Sequence, residues 1–369
     1  MRIAFLALHF SEYATQCSKC LSEQCNLLLV CETSNLKEEL GARFHDRLSH
    51  AASANQLVTR SSTPFGVIEN SNEMVKNVVA FAPDVVHFQE SSVNFVPLSA
   101  WRLRRYPMVV TVHDPVPHSG EGIQSFKSLR HDLSQRLMRR LADVAITHGA
   151  ALVQSLELQY PHLRSSTYSV PHGPLGGPPA VNDAERGTFL FFGRIHPYKG
   201  LGNFVSAIRK LHDQGLPVRG VIAGRGEDLA RHRALIEGHP AFELHERYIA
   251  HDELPGLFGR AQAVVLPYID GTQSGVGAMA LGFGRAIIAT RVGALQEMVR
   301  DGDNGLLVAP GDADALATAM ARLMASPDEA ACMGRRSVEL GQTDLSWQRN
   351  AQVTLQAYEA AICRKRGAG

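Results

Sequence analysis

The chain has 369 residues, too long for one ordinary core, and this length predicts two domains of about 150 to 200 residues each. Apolar residues make up 45% and charged residues 20%, a globular composition that excludes a disordered chain. Lys plus Arg (37) nearly cancels Asp plus Glu (36), so no overall field recruits nucleic acid, and any anionic ligand must be held by local groups.

The N-terminal run MRIAFLALHF is too short and too soon followed by Ser11 and Glu12 to be a signal peptide. No stretch approaches the roughly 20 apolar residues of a membrane span, so a cytoplasmic protein is expected. Four of the six cysteines (Cys17, Cys20, Cys25, Cys31) crowd the first strand-helix-strand unit. Without a second pair or flanking His at ligand spacing, they read as reduced thiols on a partly buried helix rather than a metal or redox pair.

Apolar runs at 3–8 and 26–31, with a helix over 16–24 between them, start a βαβ pattern. A helix over 36–48, a short strand at Leu57 and Val58, and a helix ending before Pro83 follow. Buried-type strands are predicted at 84–87, 108–113, 144–147 and 168–170. Such units build a mostly parallel sheet whose ligands sit at the carboxyl ends of the strands. His113 falls at one of these ends, and His9 closes the first strand in the same way. Each is either a partner for loop backbone or a hydrogen-bonding group facing a ligand.

Between Trp101 and Leu141 eight Arg or Lys face Asp114, Glu121 and Asp132. A helix over 124–141 carries most of them, with Phe126, Leu129, Leu133, Leu137 and Leu141 expected on the opposite, core-facing side. The alternative is a dock for an acceptor or an anionic membrane surface, a peripheral contact through 101–141. Nucleic acid is disfavoured by the thin aromatic interleaving.

Eight Pro, Gly and His residues between Pro171 and Pro179 mark a linker. The expected domains are 1–173, with the last helix (about 346–369) returning to it, and 174–345. In the second half, strands are predicted at 188–192, 219–223, 242–245, 263–266, 286–289 and 305–308, with helices over 202–214, 229–237, 252–259 and 312–324. Asp301-Gly-Asp303 and Asp312-Ala-Asp314 spell a metal-binding pair but sit where turns and helix caps favour Asp.

Two stretches carry the chemistry. FFGRIHPYKG (191–200) is a strand that ends in Gly193 and delivers Arg194 and Lys199, a planar fork and a compact ammonium suited to phosphate oxygens. LPYIDGTQSGVGAMALGFGRAIIAT (266–290) is a strand end followed by a Gly- and hydroxyl-rich turn that opens into a helix, so unpaired backbone N–H groups and the helix dipole favour an anion there. Together they would grip a diphosphate from two sides.

These stretches, with PDVVH and VVTVHD in the first half, resemble the retaining glycosyltransferases of family GT4. The resemblance implies a GT-B fold, two Rossmann-like doubly wound α/β domains facing a central crevice, the first on the acceptor side and the second on the donor side. It implies transfer of a sugar from a nucleotide-sugar donor to an acceptor sugar, lipid-linked sugar or small molecule, with retention of configuration. No metal is needed, and no cofactor, because the nucleotide sugar is a substrate. By the same resemblance Arg194 and Lys199 bind the donor diphosphate and His113 contacts the donor sugar. The backbone of Arg247, Tyr248 and Ile249 holds the base, and Gly193, Asp270, Gly271, Thr272, Gln273, Ser274 and Gly275 complete the donor site. One departure stands out: Gly271 and Met279 occupy the positions where the family usually carries two glutamates. Asp270 can replace the first, whereas Met279 cannot accept a comparable hydrogen bond. The departure implies a rebuilt donor site or, alternatively, a catalytically degenerate subunit that binds a nucleotide or partner enzyme without turnover.

Overall fold

The computed structural model describes residues 1–41, 44–61, 63–91, 93–115, 126–179 and 184–367. These residues gather into two units, one formed by the described parts of 1–171 together with 347–367, the other by those of 172–346. Each is built on its own parallel sheet.

In the first unit the strands are β1 (Arg2–Ala7), β2 (Asn26–Glu32), β3 (Ala54–Val58), β4 (Val85–Gln89), β5 (Met108–Thr111), β6 (Val144–Thr147) and β7 (Thr167–Ser169), in the order β3-β2-β1-β4-β5-β6-β7. The central strands are buried on both faces, which is why they read as unbroken apolar runs rather than as alternation. The second unit has β8 (Thr188–Phe192), β9 (Arg219–Ala223), β10 (Phe242–His245), β11 (Ala263–Leu266), β12 (Ala286–Thr290) and β13 (Gly305–Val308), in the order β10-β9-β8-β11-β12-β13. Winding outward from β8, then restarting at β11, makes the β8/β11 border the switch point where such sheets take ligands. β8 pairs with β9 along its whole length, but the β8–β11 ladder stops at Leu190 and Val264. The carboxyl ends of β8 and β11 are thus left without ladder bonds to each other.

The C-terminal helix Trp347–Gly367 packs within the first unit, against the helix Ser11–Ser22 and strands β4 to β7. Its anchors are polar. Asn350 donates to the Tyr13 hydroxyl at 3.1 Å and to the Pro171 carbonyl at 2.8 Å, and its carbonyl oxygen accepts from the buried Cys17 thiol. The Tyr358 hydroxyl meets His87 Nδ1 at 2.8 Å, and His87 Nε2 meets the Thr111 hydroxyl at 2.7 Å, with the His87 ring stacked on Phe5.

Four α-helices among the described residues have no counterpart in the periodicity: Val96–Leu103, Ala150–Gln159, the single turn Leu295–Met298 and Pro327–Gln342. The last contains Gly334, which reads as a breaker but is there because a Cβ would stand 2.3 Å from the Gly284 carbonyl oxygen. The basic helix, Phe126–Leu141, differs from expectation in its facing. Leu129 and Leu133 are exposed while Met138 and Arg139 are buried, because Arg139 turns inward to an acidic partner on the sheet. The start of that helix before 126, and the side chains of Phe126 and Lys127, lie outside the described residues.

Burial lowers His87 to about 3 and His172 to about 4, both below the ordinary 6.5. A histidine held neutral in the fold contributes stability above its unfolded value that is lost as pH falls toward the folded one. The melting temperature should therefore drop between pH 6.5 and 4, with His87 alone accounting for on the order of 3 to 5 kcal/mol by pH 3. A His87→Gln variant scanned calorimetrically over the same range should show a shallower slope; an unchanged slope would remove His87 as the cause.

Candidate functional site

In the second unit the apolar run of β8 ends at Gly193, whose φ of +102° only glycine adopts without strain. Buried Ile195 then pins the loop, donating to the Arg225 carbonyl at 3.0 Å and accepting from the Asp228 N–H. Fixing Ile195 leaves Arg194 on one side and the turn Pro197–Lys199 on the other to project from the sheet edge. Arg194 is exposed and makes no hydrogen bond or ion pair with any described residue. The Lys199 ammonium lies 5.4 Å from the centre of the Tyr268 ring, and a Cβ built on Gly193 would stand 3.6 Å from it and 3.3 Å from Val276.

Across the switch point, the loop after β11 is braced from both sides. Ile269 N–H donates to the Tyr198 carbonyl at 2.7 Å, tying the two site loops together, and the Thr290 hydroxyl donates to the Tyr268 carbonyl at 2.6 Å. Ala294 N–H holds the Thr272 carbonyl at 2.8 Å. Buried Ser274 caps the helix Gly275–Gly282 by accepting from Gly277 N–H at 3.1 Å, and its hydroxyl also meets that of Tyr268 at 2.9 Å. The N–H groups of Gly275 and Val276 make no hydrogen bond with a described residue, and a Cβ on Gly275 would meet nothing within 4 Å. Lys199, without a counterion among the described residues, thus stands near the unpaired N–H groups at the helix start, and Arg194, equally without one, leaves the same strand end.

Asp270 and Gly271 lie between these braces, half-buried, and the Gln273 side-chain oxygen is buried with no hydrogen-bond partner. Met279 sits one turn along the helix, half-buried. Arg247, Tyr248 and Ile249 follow β10, the edge strand two places from β8. The Arg247 guanidinium pairs with Glu253 at 2.8 Å, Tyr248 is exposed and Ile249 is buried. The sequence reading passed over Arg225, an exposed cation after β9 that has no partner among the described residues. Its signal was available: Gly224-Arg225-Gly226 repeats at β9 the glycine-then-arginine ending of β8.

His113 belongs to the first unit, just beyond β5. Gln89, the last residue of β4, brings its amide nitrogen within 2.8 Å of His113 Nε2. With the amide oriented so, the Gln89 N–H donates and His113 Nε2 accepts. Phe10, Tyr13 and His148 enclose the ring, at centroid distances of 4.3, 5.5 and 5.1 Å. The backbone after it is stapled by buried Arg139, which donates to the Asp114 carbonyl at 2.9 Å and the Pro115 carbonyl at 3.0 Å. Arg139 also forks onto Glu90 at 2.6 and 3.0 Å. Burial pushes the Glu90 carboxyl upward, and the guanidinium opposes that push.

The Asp-x-Asp spellings are structural. Asp301 pairs with Arg291 and accepts from Leu307 N–H, Asp303 pairs with Arg336, and Asp312 caps the helix Ala313–Ala325. No group of three or more His, Cys, Asp or Glu among the described residues could hold a metal ion, and no helix among them is long and apolar enough to cross a membrane.

The fold is that of GT-B glycosyltransferases. Sucrose-phosphate synthase from Thermosynechococcus elongatus superposes with a TM-score of 0.70 at 18% identity, covering 98% of this chain and 99% of that one. Anabaena HepE in complex with UDP and glucose superposes with a TM-score of 0.69 at 16% identity, covering 98% and 100%. The family model for glycosyltransferase family 4 matches residues 12–173 and that for glycosyl transferases group 1 matches residues 186–326. The chain belongs to this group 1, family 4 type of glycosyltransferase. Among curated relatives, the glycogen synthase of Mycobacterium tuberculosis is 28% identical over 308 residues, 78% of this chain and 70% of that protein.

Removing the Arg139 guanidinium would leave Glu90 buried without its partner and free the 113–115 backbone. Arg139→Ala should cost about 3 to 5 kcal/mol in chemical denaturation. A loss below about 1 kcal/mol would mean that the pair does not hold this loop.

Proposed function

We propose that the chain transfers a sugar from a nucleoside-diphosphate donor to an acceptor hydroxyl with retention of anomeric configuration and without a metal ion. The observation that carries this reading is the Lys199 ammonium beside Gly193 and the first turn of the helix Gly275–Gly282, with Arg194 exposed next to it. In the proposed step the bond from the anomeric carbon to the diphosphate oxygen breaks, and the electron pair leaves with the diphosphate. The acceptor oxygen bonds to that carbon on the same face, and a diphosphate oxygen takes its proton. The leaving group gains charge as it departs, so fixed cations and N–H donors stabilise the transition state more than the ground state.

His113 is assigned to the donor sugar and the backbone of 247–249 to the base. No carboxylate is assigned as nucleophile. With Gly271 and Met279 in place of the family's glutamates, Asp270 is assigned to replace the first of them, and Gln273 stays with the donor site. The complex of HepE with UDP and glucose supports a nucleotide-sugar donor.

Assays with UDP-, GDP-, ADP- and dTDP-sugars, with and without chelator, should find one donor turned over in both conditions, with product NMR reporting the retained anomer. Arg194→Ala and Lys199→Ala should each lower kcat/KM by the equivalent of about 2 to 4 kcal/mol. Near-normal turnover in both variants would defeat the site assignment. Tight nucleotide binding with no turnover of any donor would favour the second reading, a binding subunit, which the two missing glutamates motivate.

A further inference from the structure

The outward layer of the first unit carries a surface that includes none of the residues assigned to glycosyl transfer. The helices Pro64–Phe81, Val96–Leu103 and Phe126–Leu141 lie side by side in it, joined by Ser99 to Ser71 at 2.9 Å and Arg102 to Asn72 at 2.6 Å. Large apolar side chains on this layer stand in water: Phe65 is 70% exposed, Leu133 57%, Ile68 and Trp101 50% and Leu129 38%. Leucines on a globular helix normally face the core, and here Met138 does so from the opposite side of the same helix. Leu129, Leu133, Arg136 and Arg140 recur at i, i+4, i+7 and i+11, a stripe about 60° wide at 100° per residue. All four are exposed.

Charge selects the partner. Apart from buried Arg139, the described side chains of these helices and the Arg104-Arg105 turn carry seven cations (Lys76, Arg102, Arg104, Arg105, Arg130, Arg136, Arg140) against Glu69, Glu73 and Asp132. That is a surplus of four in a chain whose net charge is +1. Arg104 lies 4.1 Å over the Trp101 ring, an amphipathic pair of the kind that sits at a lipid headgroup boundary. The apolar members are ordered along the layer. Phe65, Ile68, Leu129 and Leu133 lie in the first two turns described for their helices, at the sheet edge that carries His113, and Arg136 and Arg140 lie further back.

We propose that this layer docks on an anionic lipid bilayer, with the leucine and aromatic side chains entering the acyl boundary and the arginines on lipid phosphates. Docked this way, the carboxyl edge of the first sheet faces the lipid surface. The inference stands apart from the transfer reading, because docking needs neither donor nor turnover.

The chain holds its own reporter. It has two tryptophans, and Trp347 is buried, so a change in emission on vesicle binding comes from Trp101. Purified protein mixed with phosphatidylglycerol–phosphatidylcholine vesicles should co-sediment and blue-shift its emission, and both effects should weaken with added salt. Pure phosphatidylcholine should bind weakly. Leu133→Ser should weaken partitioning about tenfold, and Arg136→Glu with Arg140→Glu should abolish the preference for anionic lipid. Both sites are exposed, and an unchanged circular dichroism melt would certify the fold. No co-sedimentation with anionic vesicles at low salt, or binding that none of these substitutions alters, would overturn the proposal.

Discussion

The arrangement in the second unit rests on positive charge that the fold leaves without a counterion. Arg194 and Lys199 leave the carboxyl end of β8 and find no carboxylate among the described residues, although the same unit pairs Arg247, Arg260, Arg291 and Arg336 with acids. Ion pairing is common in this unit, and the cations at the ends of β8 and β9, Arg194, Lys199 and Arg225, go without it among the described residues. An unpaired cation costs little while it stays wet, but Lys199 near unpaired helix N–H groups is a combination that favours an anion.

That charge is useful only if it stays in place, and most of the surrounding chemistry holds it there. Ile195 fixes the loop between the two cations, Ile269 ties that loop to the one after β11, and Tyr268 reaches both Lys199 and the Ser274 cap. The first unit supports His113 by the same logic with different parts: a side-chain amide fixes the ring, and a buried guanidinium fixes the carbonyls that follow it. In both units the groups assigned to ligand sit on loops at strand ends, and buried polar contacts one residue away make those loops rigid.

The sequence made the sheets legible. Thirteen strands among the described residues stand where strands are predicted; the central ones are apolar throughout because a parallel strand covered on both faces must be, and the edge strands β3, β7 and β10 are only partly covered. Helices were harder. Pro327–Gln342 hides behind glycines that serve close packing, and Val96–Leu103 begins at a proline after a short loop. The facing of Phe126–Leu141 was misread because periodicity ranks leucine as buried and arginine as exposed. It cannot register that Glu90, far away in sequence, draws Arg139 into the interior. The loop residues 193–200 and 270–275 were legible through their glycines and cations. The structural part of that loop was not: Ser274, assigned to the donor site, also caps the helix, and Arg225 follows the neighbouring strand with the same glycine-then-arginine ending.

The proposed role of the β8 cations and the helix start is to hold the diphosphate of a nucleotide. Isothermal titration of UDP, GDP, ADP and dTDP beside their parent nucleosides tests it without any acceptor or turnover. At least one diphosphate should bind, its nucleoside should bind more than tenfold more weakly, and Lys199→Ala should remove most of the difference. Equal affinity for nucleoside and diphosphate, or a Lys199→Ala variant that binds the diphosphate as well as the parent protein does, would contradict it.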